Sequence, residues 1–387
     1  MPHWRLATWY FLYFAFIGAY MPYFGVYLQA QGYSAWDISL LLSLMQLMRL
    51  FAPNLWSHLA ERLGRQAPVV RATTALCILC FSLLFFTQGL GATFVAIALL
   101  AFFWSAALPL VEALTLSQLD RHAEHYGRIR LWGSVGFVVA VQCIGALLDA
   151  LPIISLLWVS LALLGLLLGS ALALPESHSP PEHGHEARPS ISYRAMLQRQ
   201  PKLLPLLWAC FLMSAAHGPL YVFYSIHLVE HAYSKTLIGA LWSLGVAAEI
   251  LAFMWMPRLL RRYSLYRLLL LAFIAAVLRF LMIGWGASAI PLLILAQLLH
   301  GLTFGAFHAV MVALLHRWFP GREQTRAQAL YGSISFGAGG LLGGLLSGQL
   351  WDSIGAGWTY TLGALFALGG LLIVRRYLHT PDDLGSP

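Results

Sequence analysis

Eight ionisable side chains stand inside or at the edge of long apolar runs: Arg49, Glu112, Arg130, His217, Glu249, Arg279, His300 and His308. A charged group near the centre of a membrane-spanning segment costs at least about 2.5–3.5 kcal/mol on insertion scales, so such residues face a cavity and find partners. Their types define a chemistry. Arginine stays charged at any relevant pH and grips carboxylates with a planar fork. Histidine titrates near neutrality, and burial raises a glutamate into the same range. A carboxylate and a histidine around a fixed arginine are the parts that a proton-coupled carrier needs.

Spacing narrows the pairings. Glu112 and Arg130 are separated by one short turn, so they can meet across adjacent antiparallel helices. Arg128 and Arg130, two residues apart, point to nearly opposite helix faces. Glu249, Arg279, His300 and His308 fall on three consecutive spans of the second half. Each has a plainer reading beside the functional one. Arg49 could simply hold a carboxylate, His217 could cap carbonyls freed by Gly218-Pro219, and His308 could be a hydrogen-bonded core residue. The tyrosines Tyr13, Tyr20, Tyr23, Tyr27, Tyr221 and Tyr224 suit packing or an interfacial belt, with a few, Tyr23 among them, lining a cavity. Cys77 and Cys80 form a mid-span C-x-x-C that reads as buried small hydrophobes, and no metal site is expected.

The elements that position these residues are membrane helices. The chain has 387 residues, 60% hydrophobic and 10% charged, with a mean hydropathy of +0.74. Soluble domains carry about 25% charged residues, so this composition excludes a water-facing globule. Apolar runs at 6–30, 36–58, 68–88, 90–117, 128–149 and 152–174 resume at 203–229, 236–258, 265–286, 289–316, 327–350 and 356–375. Each is long enough to cross a bilayer as a helix, the conformation that satisfies its own backbone in lipid. The first run is too long for a signal peptide and reads as an uncleaved span. The fold class expected is an all-α membrane protein of twelve transmembrane helices, arranged as two six-helix bundles (1–174 and 203–387) joined by a polar cytoplasmic linker (175–202).

Basic residues orient these spans. Arg5, Arg62, Arg65, Arg71, Arg121, Arg128, Arg130, Arg188, Arg194, Arg199, Lys202, Arg258, Arg261, Arg262, Arg267, Arg317, Arg322, Arg326, Arg375 and Arg376 all fall on one side, and Lys235 on the other. By the positive-inside rule that side is cytoplasmic, with both termini on it. This distribution explains the net charge of +8 without nucleic acid. The linker holds His178, His183 and His185 among Pro and Ser and reads as flexible and solvated. Shifting the chain by about 200 residues pairs Tyr33-Ser34 with Tyr233-Ser234 and LWGSV (131–135) with LYGSI (330–334). Such a parallel duplication suits a transporter that works by alternating access. Pro22 and Pro219 stand at near-corresponding places, where paired helix interruptions point to a binding site.

With these residues in view, the chain resembles the major facilitator superfamily over nearly its full length. Ser57-His58-Leu59-Ala60-Glu61-Arg62-Leu63-Gly64-Arg65 is similar to its cytoplasmic signature, which implies a charge-paired gating loop around Glu61, Arg62, Gly64 and Arg65. The copy at Pro257–Ser264 is degenerate, with Arg261 in the acidic place. Leu110-Val111-Glu112-Ala113 and Tyr126–Phe137 resemble the lactose-permease-like proton symporters, which implies that Glu112 and Arg130 bind substrate. Arg279 and His300 resemble the arginine and histidine of that group's proton-coupling region. Phe137 stands where the sugar carriers place a stacking tryptophan, and Thr303 where they carry an acidic proton site. The first departure argues against a sugar, and the second moves the coupling role to Glu249, His300 or His308. YGRIRLWGS and GLTFGAFHA most resemble the phenylpropionate-permease branch. That resemblance implies proton-coupled import of a small aromatic carboxylate across a bacterial inner membrane.

The expectation is therefore a monomeric symporter driven by the proton gradient, without a cofactor and not an enzyme. Its substrate would meet Glu112, Arg130, Phe137, Arg279, Tyr23 and His217, with Arg130 holding the carboxylate and Arg279 the second candidate for that role. Glu249, His300 and His308 would carry protons. Sugar or nucleoside symport, drug export and a transporter-like sensor are the alternatives.

Overall fold

The structure is a computed structural model that describes residues 3–119, 125–175 and 192–379. Arg121, Arg188 and the linker histidines lie outside the described residues. The chain packs as two compact units: Met1–Glu186 with Ala232–Ala240, and Ala187–His231 with Leu241–Pro387. Every regular element among the described residues is helical.

In unit 1, α1 (His3–Ala30) is followed by α2 (Ala35–Arg49), α3 (Ala52–Leu63), α4 (Ala67–Leu83), α5 (Gly89–Leu119), α6 (Tyr126–Ala150) and α7 (Ser155–Leu172). The expected second span is thus two helices, meeting at 42°. The cause is local. Pro53 in the first turn of α3 has no backbone donor and its ring clashes with the carbonyl four residues back, that of Arg49 at the end of α2, and Phe51 sits outside helical space at φ −138°. Arg49 ends α2 and is exposed at this break. The signature stretch Ser57–Leu63 is helical rather than looped. Nothing interrupts α3 before Gly64, whose φ of 62° closes the helix in the left-handed region.

Along α1, glycines let backbones meet. A Cβ on Gly136 of α6 would strike the Phe11 backbone, and one on Gly18 would lie 2.6 Å from the Phe137 carbonyl. α1 accordingly packs lengthwise on α6 and α7, and α5 covers α2 and α4.

Unit 2 begins with α8 (Tyr193–Arg199), a short helix inside the expected linker. Ser192 caps it, and Arg199 binds Glu323 at 2.8 Å. Then come α9 (Leu203–Ala216), α10 (Gly218–Glu230), α11 (Lys235–Arg262), α12 (Leu265–Trp285), α13 (Ile290–Leu298), α14 (Phe307–Trp318), α15 (Arg322–Gly332) and α16 (Gly340–Tyr377). α13 and α14 are joined by a π-helical turn at Gly301–Ala306, and α15 and α16 by another at Ser333–Gly339. α9, α10 and α12 pack on α16, while α12 also meets the first π-turn. The first turn of α11 packs in unit 1, where Asp149 accepts hydrogen bonds from the Lys235 and Thr236 amides at 2.8 and 2.9 Å.

Among the described residues nine helices are long and apolar enough to cross a membrane, ten with the bent α2–α3 pair. α4 is a shorter apolar helix. Gly355, at φ 80° and ψ 169°, divides α16 into two apolar segments. The twelve expected segments therefore correspond to these helices only when α4 and the divided α16 are counted as well.

The duplication reaches the backbone. Gly32 and Ala232 take positive φ values of 85° and 60° at paired positions. The following serines cap the next helices, Ser34 bonding the Asp37 amide and Ser234 the Leu237 amide. The prolines do not match in effect: α1 runs unbroken through Pro22, whereas the chain is interrupted at His217, between α9 and α10.

Candidate functional site

In unit 1, α5 and α6 bring Glu112 and Arg130 together, with Nε 3.5 Å from Oε1. Both side chains keep about a third of their surface exposed. The Arg130 guanidinium lies 4.2 Å over the Phe14 ring and 5.5 Å over Tyr10. Gly133, one turn along α6, makes this possible, since a Cβ there would stand 2.6 Å from Phe14 Cδ2 and 3.0 Å from Arg130 Nη1. Thr115 donates to the Val111 carbonyl at 2.6 Å, so the Tyr10 hydroxyl 3.3 Å away donates to Thr115. Tyr126 lies one turn before Arg130, with its hydroxyl against Glu112 and Tyr10. The pair is charge-balanced and set in an aromatic surround.

Other residues expected near this pair lie apart from it. Phe137 is on the same face of α6 two turns further on and is 5% exposed. Tyr23 is fully buried, its hydroxyl bonding the carbonyls of Val141 at 2.8 Å and Lys235 at 3.0 Å. It braces the backbone of unit 1. Arg128 is exposed. At the end of α3, Glu61 comes within 4.0 Å of His58, and Arg62 and Arg65 are exposed.

Unit 2 contains a denser cluster centred on Arg279 of α12, which is 1% exposed. Its Nε donates to the Ala296 carbonyl at 2.9 Å and its Nη1 to Thr303 Oγ1 at 3.1 Å. Nη1 also stands 3.4 Å from His217 Nε2, and Nη2 3.4 Å from Gln297 Oε1. All four partners are neutral. No carboxylate among the described residues lies within ion-pair distance of this guanidinium.

The interruption at Pro219 explains the position of His217. Its backbone amide bonds Ser214, one residue short of the α-helical partner, and the Met213 carbonyl is met instead by His217 Nδ1 at 2.8 Å. A carbonyl only accepts, so Nδ1 carries the proton and Nε2 presents its lone pair to Arg279. The capping role and the site role of His217 thus belong to one tautomer.

Beside this cluster, His300 Nε2 lies 3.6 Å from Glu249 Oε2 of α11. Gly245, one turn before Glu249, packs on both neighbours: a Cβ there would be 2.9 Å from Gln297 Oε1 and 3.5 Å from His300 Cδ2. Of Glu249, Arg279, His300 and His308, expected on three consecutive spans, the first three therefore lie in one neighbourhood, joined there by His217. His308 stands further along, with Nδ1 3.3 Å from the Tyr331 hydroxyl and its ring facing Phe304 and Phe336. Gln297 completes the shell and was not anticipated. It is uncharged within an apolar run, so a search for ionisable groups passes over it.

The MFS_1 like family model matches residues 3–362. The chain is 31% identical over 376 residues to the "Probable 3-phenylpropionic acid transporter" of Escherichia coli (strain K12), covering 94% of this chain and 95% of that one. It is 29% identical over 375 residues to the "Maltose permease" of Geobacillus stearothermophilus, covering 94% and 92%. Among solved structures, a mutant of the nucleoside transporter NupG superposes with a TM-score of 0.84 at 19% identity, over 97% of this chain and 98% of that chain, a likeness of fold. The duplicated helical bundle, its buried polar clusters and these matches agree: the chain belongs to the MFS_1 like family, of multi-pass membrane transporters and not of enzymes.

Proposed function

We propose that this transporter is a proton symporter of the bacterial inner membrane, with both termini cytoplasmic, that imports a small aromatic carboxylate such as 3-phenylpropionate by alternating access. The observation that carries the reading is Arg279, a buried guanidinium surrounded by neutral partners. A buried cation without a counter-charge is costly, and a substrate carboxylate is the anion that would relieve it. Arg130, in contrast, already has Glu112. The relative named for 3-phenylpropionic acid, 31% identical, supports the choice of anion.

The same geometry supports proton coupling. The Glu249–His300 pair is the proton site in this reading, within electrostatic reach of Arg279. A carboxylate bound to Arg279 removes the repulsion that an imidazolium at His300 would feel. Each ligand then strengthens the other, and that reciprocity is what symport requires. A neutral hydroxylated substrate, a sugar or nucleoside, is the second reading. It is favoured by the charge-balanced, partly exposed Glu112–Arg130 pair, which would suit hydroxyl groups, and by the relative named maltose permease.

The test is uptake by proteoliposomes of labelled 3-phenylpropionate, maltose and uridine, with and without an inward proton gradient. Gradient-driven accumulation of the acid alone is expected. Accumulation of a neutral substrate instead, or uptake indifferent to uncouplers, would reject the proposal.

A further inference from the structure

Two π-helical turns are present in unit 2, and each carries a partly exposed phenylalanine: Phe304 in Gly301–Ala306 and Phe336 in Ser333–Gly339. π-Turns are rare and concentrate at functional sites. The two rings stand 6.2 Å apart at 47°. Phe304 is also the middle of a column of three rings. His300 stacks on one side at 5.5 Å and 21°, and His308 on the other at 6.3 Å and 14°. The next residue back, Thr303, accepts from Arg279 Nη1 at 3.1 Å. One turn of chain therefore holds an aromatic face and the edge of a guanidinium site side by side.

Two further atoms point to a ligand at this place. Gln297 Nε2 and His300 Nδ1 are buried without a hydrogen-bond partner, although Gln297 is 2% and His300 9% exposed. A buried polar atom left unmet costs about 1–3 kcal/mol. Gln297 bonds Arg279 through Oε1, so its free Nε2 donor lies beside the guanidinium, where a carboxylate oxygen would satisfy it.

We propose that Phe304 and Phe336 form the aromatic wall that selects the ring of the substrate, while Arg279 and Gln297 Nε2 take its carboxylate. This rests on the reading of the protein as an aromatic-acid carrier. Gly245 packs on both Gln297 and His300, and His300 stacks on Phe304, so the two subsites lie a short distance apart, which suits a ring joined to its carboxylate by a short chain. Aromatic pairs gain from ring geometry beyond the area they bury, so the wall discriminates by π-face as well as by volume.

The experiment measures binding of 3-phenylpropionate and 3-cyclohexylpropionate to the purified full chain. The two share a carboxylate and a similar size, and only the first has a π-face. Phe304→Leu and Phe336→Leu are expected to weaken 3-phenylpropionate about tenfold and 3-cyclohexylpropionate less than twofold, while Phe304→Tyr retains the preference. The retained cyclohexyl binding shows that the variants are folded. Equal weakening of both acids, or no weakening of either, overturns the aromatic wall and leaves the acid-carrier reading standing. Failure of the wild type to bind either acid overturns both.

Discussion

Replacing Arg279 with glutamine separates the two jobs this residue could have. If it were a structural hub, its four hydrogen bonds would dominate, and their loss would take the guanidinium donor away from the Ala296 carbonyl, Thr303 Oγ1 and Gln297 Oε1 inside the protein. Each orphaned group costs about 1–3 kcal/mol. The same substitution also removes a charge that is 1% exposed and has no anionic partner, which returns a comparable amount. The ligand-free protein should therefore change little in stability. Binding should change greatly, because truncating one partner of a buried charge pair costs about 2–5 kcal/mol, or roughly 30-fold to several thousand-fold in affinity. The assay is thermal unfolding in detergent with and without 3-phenylpropionate. An unshifted midpoint without ligand and loss of the ligand-induced rise are expected. Arg279→Lys keeps the charge but not the fork, so it should recover part of the affinity. A glutamine variant that unfolds far below the wild type yet binds the acid as well would refute the argument.

Arg130→Ala should abolish uptake while the protein inserts normally, checked by membrane fractionation alongside transport; unimpaired uptake would remove the Glu112–Arg130 pair from the substrate path. Glu249→Gln should abolish proton-driven accumulation but retain exchange of labelled for unlabelled acid, since the substitution removes the carboxylate facing His300 and leaves Arg279 in place. Adding substrate to de-energised cells should raise the pH of an unbuffered medium, and no change would argue against symport. Gly136→Ala places a methyl against the Phe11 backbone, which cannot move as a flexible side chain could. A destabilisation of about 1–3 kcal/mol is expected from such overpacking, read as a lower unfolding midpoint.

What the sequence revealed depended on how each feature is encoded. Span positions were legible because hydropathy reports them directly, and the match of Tyr33-Ser34 with Tyr233-Ser234 falls where serines cap the next helix in both halves. His217, Glu249, Arg279 and His300 could each be singled out because each is costly in lipid, but that His217 joins the cluster and His308 stands apart from it was not legible. Their partners were less legible. Gln297 and Thr303 carry no charge, and Arg279 meets His217 across 62 residues of chain, a separation that no local pattern encodes. The bend at Phe51 had a signal in Pro53 that a window averaging apolarity smooths away. The π-turns had none: GLTFGA and SISFGAG share small residues but no period. Close backbone approaches at Gly136, Gly218 and Gly343 likewise depend on which helices become neighbours.

The two halves also show how a duplicated fold acquires different chemistry. Paired turns and caps persist at Gly32-Ser34 and Ala232-Ser234, so the scaffold has kept its local geometry. The polar interiors have diverged. In unit 1, Gly133 sits in regular α-helix and lets Arg130 lie on Phe14 beside its own carboxylate. The corresponding Gly332 leads instead into a π-turn that carries Phe336. Pro22 leaves α1 intact, whereas the chain break beside Pro219 turns His217 toward Arg279. Unit 1 thus retains a neutralised pair, and unit 2 holds a cation without its anion. A carrier needs at least one interaction that its ligand completes, because a ligand shifts an equilibrium only by what it adds to one state over another. In the proposed reading the incomplete site is the one at Arg279, a buried guanidinium with only neutral partners, where an anion would change the energy of the protein.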